Sequence, residues 1–372
     1  MDHEAYVVDS IDLVLERVAR GQLGRRAFLT ALGLLGLGPA GLAPRLAEAQ
    51  GKPKEIVVAN WGGDAVKHFF DAWGKPYEKD TGIKVVIDGT GPSAGKLRAM
   101  VEAKNVTWDV ADAGSGTCLI LGKQGILDEF DYKIVDRSKV RPEFAYKWGI
   151  ANYLFSYVLA YDKSKFGSNP PKSWQDFWDT KNFPGKRTLR KDIQGVLEIA
   201  LMADGMPADP KKLYPLDEKR GLDAIRRIKK ETVFWTSGAQ SQELLRDGEC
   251  SMGCLWNTRA TALYRDTKGR IDFTWNQGIL CPGVWVVPKG NPAGKAVYDF
   301  VKSTQNPERQ VALLVAFGNG PANPAAAPLV PADLRRFDPG YPDNAKLQVA
   351  MDAEWYGEHQ DSALAAYIDA IS

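Results

Sequence analysis

Short apolar runs alternate along this chain with longer stretches in which apolar residues recur at helical spacing. Residues 56–60 read as a strand. A helix follows from about Asp64, with Val66, Phe69, Phe70, Trp73 and Tyr77 on one face. Pro76 should kink or shorten it. Residues 84–88 form a second strand. Residues 95–104 form a helix with Leu97, Met100 and Val101 inward. Residues 108–113 are a third strand, and another helix starts at Thr117. Strands alternating this regularly with helices predict a parallel sheet.

The aromatic and β-branched run 151–161 reads as a further strand. It leads into Gly167 and Pro170-Pro171, where a lobe boundary is expected. Ser173-Trp174-Gln175-Asp176 has the form of a capping box. Helices are predicted over 192–203 and 222–230, then a strand over 232–235 and a helix capped by Ser237 that runs to Asp247. The apolar run 252–255 is too short for a helix and reads as a buried strand. It ends at Trp256-Asn257, where Thr258 can cap a helix to about Lys268. Strands follow over 271–276 and 284–287. The remainder is mostly helical, with a Pro/Ala/Gly loop over 318–331.

The 372 residues are 44% apolar and 25% charged, a balance that fits a soluble globular chain long enough for two domains. A net charge of +2 gives no electrostatic case for nucleic acid. Arg25-Arg26-Ala27-Phe28-Leu29 begins a run, Ala27 to Leu42, that is apolar, Gly-rich and uncharged, and Ala47-Glu48-Ala49 follows it as an A-x-A site before Gln50. This is the layout of an export signal of the twin-arginine type, cleaved near Ala49, and it addresses the mature chain to the periplasm. The glycines and Pro39 of the run lower its hydrophobicity and argue against a membrane anchor.

Cys118, Cys250, Cys254 and Cys281 each sit in an apolar segment and read as buried thiols. Cys250 and Cys254, four apart on one predicted strand, would stand ~13 Å apart and cannot pair with each other. Whether any others pair stays open. Only His68 and His359 remain after cleavage, so neither a metal site nor a cofactor is expected.

Three predicted strand ends carry a Trp beside an Asn: Asn60-Trp61, Trp256-Asn257 and Trp275-Asn276. Ligands of open α/β sheets bind beyond the carboxyl ends of the strands, so these corners point to a cleft with aromatic walls. Gly91-Pro92-Ser93-Ala94-Gly95 matches the nucleophile elbow of serine hydrolases, but its sole late histidine, His359, lies in a polar stretch. Gly114-Ser115-Gly116 offers backbone N–H groups and a hydroxyl at a strand end. Asp192 is either a helix N-cap or a cleft acid. Arg259 stands near a helix N-terminus, against the dipole preference, which favours a role for it.

The assembled pattern resembles the periplasmic solute-binding proteins of ABC importers, and within them the spermidine/putrescine branch. The stretches that carry the resemblance are IVVANWGG, TWDVADAGSG, GKQGILDEFDY, KSWQDFWD, RDGECSMGCLWN, WVVPKGNP and FGNGPANPAA. It covers the chain from about Lys54 to the end. It implies an α/β, two-lobe Venus-flytrap fold with hinge-crossing strands, closing on its ligand without catalysing a reaction. The expected division is 1–49 signal peptide, 50–157 with 284–335 as lobe 1, 158–283 as lobe 2, and 336–372 as a C-terminal helical segment.

The resemblance also implies a cleft lined by Trp61, Ser93, Ser115, Gly116, Tyr153, Asp192, Trp235, Trp256, Arg259 and Asn319. The partners would be a small molecule and inner-membrane permease subunits, and the receptor a monomer. In polyamine binders carboxylates hold the ammonium ends. Here Arg259 stands where one such acid would be, Gly283 about where another would be, and Asn319 in place of a Tyr. A cleft with one acid and one Arg suits a zwitterion such as an ω-amino acid, γ-aminobutyrate for example. Asp192 would take the ammonium and Arg259 the carboxylate. Two alternatives stand beside this. One is a true polyamine receptor using Asp64 or Asp112. The other is a secreted hydrolase or thiaminase-like enzyme on the same scaffold, with Cys118, Cys254 or Cys281 as nucleophile.

Overall fold

A computed structural model describes residues 53–372. The export signal and its cleavage position lie outside the described residues. Strand β1 (Glu55–Ala59) feeds helix α1 (Asp64–Phe69), which runs through a π turn (Phe70–Gly74) into α2 (Lys75–Thr81). The segment therefore does not stop at Pro76. The π turn shifts the hydrogen-bond ladder just ahead of the proline, which then sits in the first turn of α2, where its missing N–H is tolerated. Strand β2 (Lys84–Asp88), helix α3 (Ala94–Glu102), strand β3 (Val110–Gly114) and helix α4 (Ser115–Lys123) follow.

After the short β4 (Ala145–Tyr146) comes β5 (Gly149–Asp162). Strand β6 (Arg187–Arg190), helices α5 (Val196–Ala203) and α6 (Glu218–Ile228), strand β7 (Thr232–Trp235), helix α7 (Gly238–Arg246) and strand β8 (Met252–Trp256) then alternate. Helix α8 (Asn257–Asp266) leads into β9 (Ile271–Val286). Helices α9 (Val297–Thr304) and α10 (Pro307–Phe317), the short strands β10 (Gly320–Pro321) and β11 (Val349–Ala350), and helix α11 (Ala353–Ile371) complete the chain.

The strands form one path, β2-β1-β3-β9-β5-β8-β6-β7. Its two flanks are parallel, as the βα alternation predicts, whereas β3, β9, β5 and β8 meet antiparallel. β5 and β9 pair from Gly149↔Val286 to Asp162↔Ile271. One end of β9 joins β3, and the opposite end of β5 joins β8. These two long strands thus belong to both halves of a two-lobe α/β fold.

The sequence divides β9 into two strands because Gly278, Pro282 and Gly283 interrupt its apolar pattern. In the fold it is continuous. The interruption appears as irregular pairing between Tyr157 and Leu159, beside a Gln277 held at φ 61°. Two large cores flank this crossing. One gathers Ile56, Phe69, Trp73, Trp285 and Phe300. The other gathers Tyr157, Trp174, Phe177, Leu197, Ile225 and Tyr356.

Candidate ligand-binding cleft

A cleft of about 250 Å³ opens at the ends of β3, β6 and β8. Trp61 enters from the corner after β1. The Asn60 side chain caps that corner, its Oδ1 accepting from the Gly62 amide at 2.9 Å. Gly62 has φ 74°, and a Cβ there would meet the Gly89 carbonyl oxygen at 2.5 Å, so only glycine fits the turn. Trp61 is left 46% exposed beside the cleft, the most open large apolar residue of the described chain.

Beside it, Tyr153 on β5 donates its hydroxyl to Asp112 Oδ2 at 2.8 Å, and Asn152 Nδ2 donates to Asp112 Oδ1 at 3.1 Å. Asp112 is 1% exposed yet borders the cleft. Burial, only partly offset by these two hydrogen bonds, raises its carboxyl to about 7.

The opposite wall is built on β6 and β8. The Arg190 guanidinium lies 5.0 Å over the Trp256 ring and 5.8 Å from that of Trp235. Its Nη1 donates to the Tyr157 hydroxyl at 2.7 Å, and its Nη2 stands 3.3 Å from Asp192 Oδ2. Arg259, on the first turn of α8, lies 5.2 Å over Phe317. Its Nε is buried with no hydrogen-bond partner, and among the described residues no carboxylate reaches ion-pair range. Burial pulls its pKa down, against the charge of Asp64. The buried Asn319 Oδ1 is also without a partner.

Trp61, Ser93, Tyr153, Asp192, Trp256, Arg259 and Asn319 all border this cleft. Ser93 is the N-cap of α3 and accepts from the Lys96 amide at 3.3 Å. His359 is absent from the cleft wall. It stacks on Trp355 at 5.0 Å and approaches Glu218 at 3.6 Å, so among the described residues it forms no triad with Ser93.

Three residues of the expected wall stand elsewhere. Trp235 is fully buried behind Trp256, edge-on at 5.1 Å, and donates Nε1 to the Cys254 carbonyl. Ser115 is buried at the start of α4, and its neighbours Gly114 and Thr117 border the cleft instead. Gly116 faces α11, where a Cβ would come within 2.8 Å of Tyr356 Cβ and Gln360 Oε1. The third Trp corner is likewise structural: Trp275 donates to the Arg336 carbonyl and packs on Phe273.

Two local readings also change. Asp192 does not open a helix. It forms a turn with the Gln194 amide at 3.1 Å, and α5 starts at Val196 after Gly195 at φ 77°. Helix α8 starts at Asn257 rather than after Thr258. Asn257 instead ties β5 to the late loop, accepting from Ser156 N and donating to the Gly318 carbonyl.

Arg190, Gln194, Phe317 and Gln360 also line the cleft, and sequence reasoning missed them. The signal for Arg190 was weak. Its strand reads RTLR, too polar for an apolar-run search. All four cysteines are unpaired and buried, and burial raises every thiol, that of Cys250 to about 12. A thiolate nucleophile has no support here. Among the described residues no cluster of three His, Cys, Asp or Glu could hold a metal.

A two-lobed frame with an aromatic, charged cleft at its crossing is the architecture of a ligand-binding protein. Residues 72–347 match the model of the bacterial extracellular solute-binding proteins, and the chain belongs to that family. It is 30% identical over 319 residues to the gamma-aminobutyric acid-binding protein of Pseudomonas aeruginosa, covering 84% of this chain and 90% of the relative. A solved GABA receptor superposes with a TM-score of 0.79 at 33% identity, covering 86% of this chain and 98% of the receptor. An ABC transporter substrate-binding protein from Bradyrhizobium japonicum superposes with a TM-score of 0.81 at 32% identity, covering 86% and 99%.

Proposed function

We propose that this chain is the periplasmic receptor of an ABC importer for a small zwitterion of the ω-amino acid class, with γ-aminobutyrate as its leading member. The observation that carries the reading is Arg259, a half-buried guanidinium on the cleft wall whose buried Nε has no hydrogen-bond partner and which, among the described residues, has no acid in ion-pair range. A buried charge without a partner is costly, and a ligand carboxylate offsets that cost by charge-assisted hydrogen bonds. Asn319 Oδ1, also unpartnered, offers an acceptor on the same wall. Trp61, Trp256 and Phe317 supply apolar faces for a short methylene chain. A diamine would set one ammonium against this guanidinium, which disfavours the polyamine alternative. The names of the related GABA-binding protein and GABA receptor support the same ligand class.

In this reading 50–157 with 284–335 form one lobe and 158–283 the other. β5 and β9 cross between them, and 336–372 straps the two. The receptor leaves the cytoplasm by its twin-arginine signal, works as a monomer and delivers its ligand to inner-membrane permease subunits. Isothermal titration of the mature protein with γ-aminobutyrate, putrescine and spermidine tests the ligand. Saturable binding of γ-aminobutyrate alone is expected, strongly weakened in Arg259→Met. Tight putrescine binding with none for ω-amino acids would overturn the reading.

A further inference from the structure

We propose that Asp112 is the counter-charge for the ligand's ammonium group and releases a proton to solvent as the ligand enters. This rests on the zwitterion reading above. Two aspartates border the cleft, Asp112 and Asp192. Asp192 already faces the Arg190 guanidinium at 3.3 Å, so its charge is largely balanced within the protein. Asp112 has only neutral partners, Asn152 and Tyr153, each donating to a different oxygen. A carboxylate offers about four lone-pair sites, so an ammonium can still donate to it without displacing either.

The two ends of such a ligand would then meet groups from either side of the crossing strands β9 and β5. Asp112 lies on β3, and Arg259 lies on the helix that follows β8. Gly283 on β9 keeps the floor clear for this arrangement. A Cβ there would stand 2.4 Å from the Tyr153 ring and 2.5 Å from Asn152 Oδ1, breaking both hydrogen bonds to Asp112.

The surroundings of Asp112 explain why it would hold a proton in the empty cleft. Its own strand offers Val110, Ala111, Ala113 and Gly114, none ionisable. β5 presents the Tyr153 phenol, itself held well above its ordinary range by burial and by Asp112. β9 sets Trp285 and Gly283 opposite. α1 carries Asp64 and His68, α4 carries Cys118, and the far wall carries Arg190, Asp192 and Arg259. None of these is a charged partner in contact with Asp112 among the described residues. A buried carboxyl with no cation beside it stays neutral to about pH 7. An ammonium at hydrogen-bond distance reverses this and favours the carboxylate. The proton leaves to solvent, and the ligand keeps its own.

Titration calorimetry in two buffers of different ionisation enthalpy, between pH 5.5 and pH 8 (about one and a half units below and one above the carboxyl), reads the released proton directly. Wild type should release up to about one proton per γ-aminobutyrate bound below pH 7, with affinity rising ~10-fold per pH unit until it levels. Asp112→Asn can keep both hydrogen bonds, its amide nitrogen donating to the Tyr153 hydroxyl. It should bind ~10–100-fold more weakly, with neither proton release nor pH dependence. Asp192→Asn should keep the proton release. Undiminished release or wild-type affinity in Asp112→Asn overturns the proposal. If wild type binds putrescine alone, the zwitterion reading fails, and Asp112 is judged by the same proton count on putrescine. Binding only of carboxylates that lack an amine overturns both.

Discussion

A Cβ at Gly238 would fall 2.4 Å from Arg259 Nε. The first residue of α7 therefore sets where the unpaired guanidinium of α8 can lie. Gly238 is fixed by this close approach rather than by its backbone angles. Gly238→Ala should push Arg259 off Phe317 without touching any ligand, lowering γ-aminobutyrate affinity ~10-fold in a calorimetric titration. The double variant Gly238→Ala/Arg259→Met should bind no worse than Arg259→Met alone, because the two changes act through one group.

Trp256 carries the Arg190 guanidinium on its ring at 5.0 Å, with Tyr157 holding the same group from below. Trp256→Ala removes both a cleft wall and this platform. Affinity should fall more than 10-fold, whereas Trp256→Phe retains part of it. Emission reports the same wall. Ligand should shift the fluorescence of wild type, and Trp61→Phe should remove most of the shift, since Trp61 is the exposed indole of the cleft.

Much of this cleft was legible because it follows from periodicity. Apolar runs located β1, β3, β5 and β8, and residues just past strand ends, such as Trp61 and Arg259, stood out as candidates by position, while the family resemblance implied their place in the cleft. Whether a Trp at such a corner faces ligand or core could not be read. Trp235 and Trp256 differ only in that one ring stands behind the other. Nor could the two arginines of β6 be told apart. Arg187 is fully buried on the carbonyls of Phe177, Phe183 and Gly185, while Arg190, three residues on, reaches the cleft. Composition signals neither outcome, because both depend on which distant carbonyls or rings the fold brings near.

Helix α11 packs against Gly116 so closely that no larger residue fits between α4 and Tyr356. The Tyr356 hydroxyl in turn donates to buried Glu198 on α5 and accepts from the Gly195 amide. Gly116→Val should therefore cost ~1–3 kcal/mol of stability through overpacking, read as a lower urea midpoint. Ligand affinity should fall with it, because Gln360 on the same helix turn borders the cleft. Gln360→Ala should weaken binding while leaving the urea midpoint nearly unchanged.

The carboxyl of Asp112 makes the ligand-free protein pH-sensitive in a direction opposite to that of an ion-paired aspartate. Its folded pKa, raised by burial to about 7, lies above the ~3.9 of an unfolded chain. Between those values the folded state holds a proton that the unfolded state has lost. Its contribution to stability is full below about pH 4, shrinks as pH rises, and is gone above about pH 7. Asp112→Asn carries no such linkage. The melting temperature of ligand-free Asp112→Asn relative to wild type should therefore be higher at pH 8 than at pH 5. Saturating γ-aminobutyrate should raise the wild-type melting temperature more at pH 8 than at pH 5, and the variant's far less at either. A variant whose ligand-free melting temperature follows wild type across this range would show that Asp112 titrates as an ordinary exposed acid.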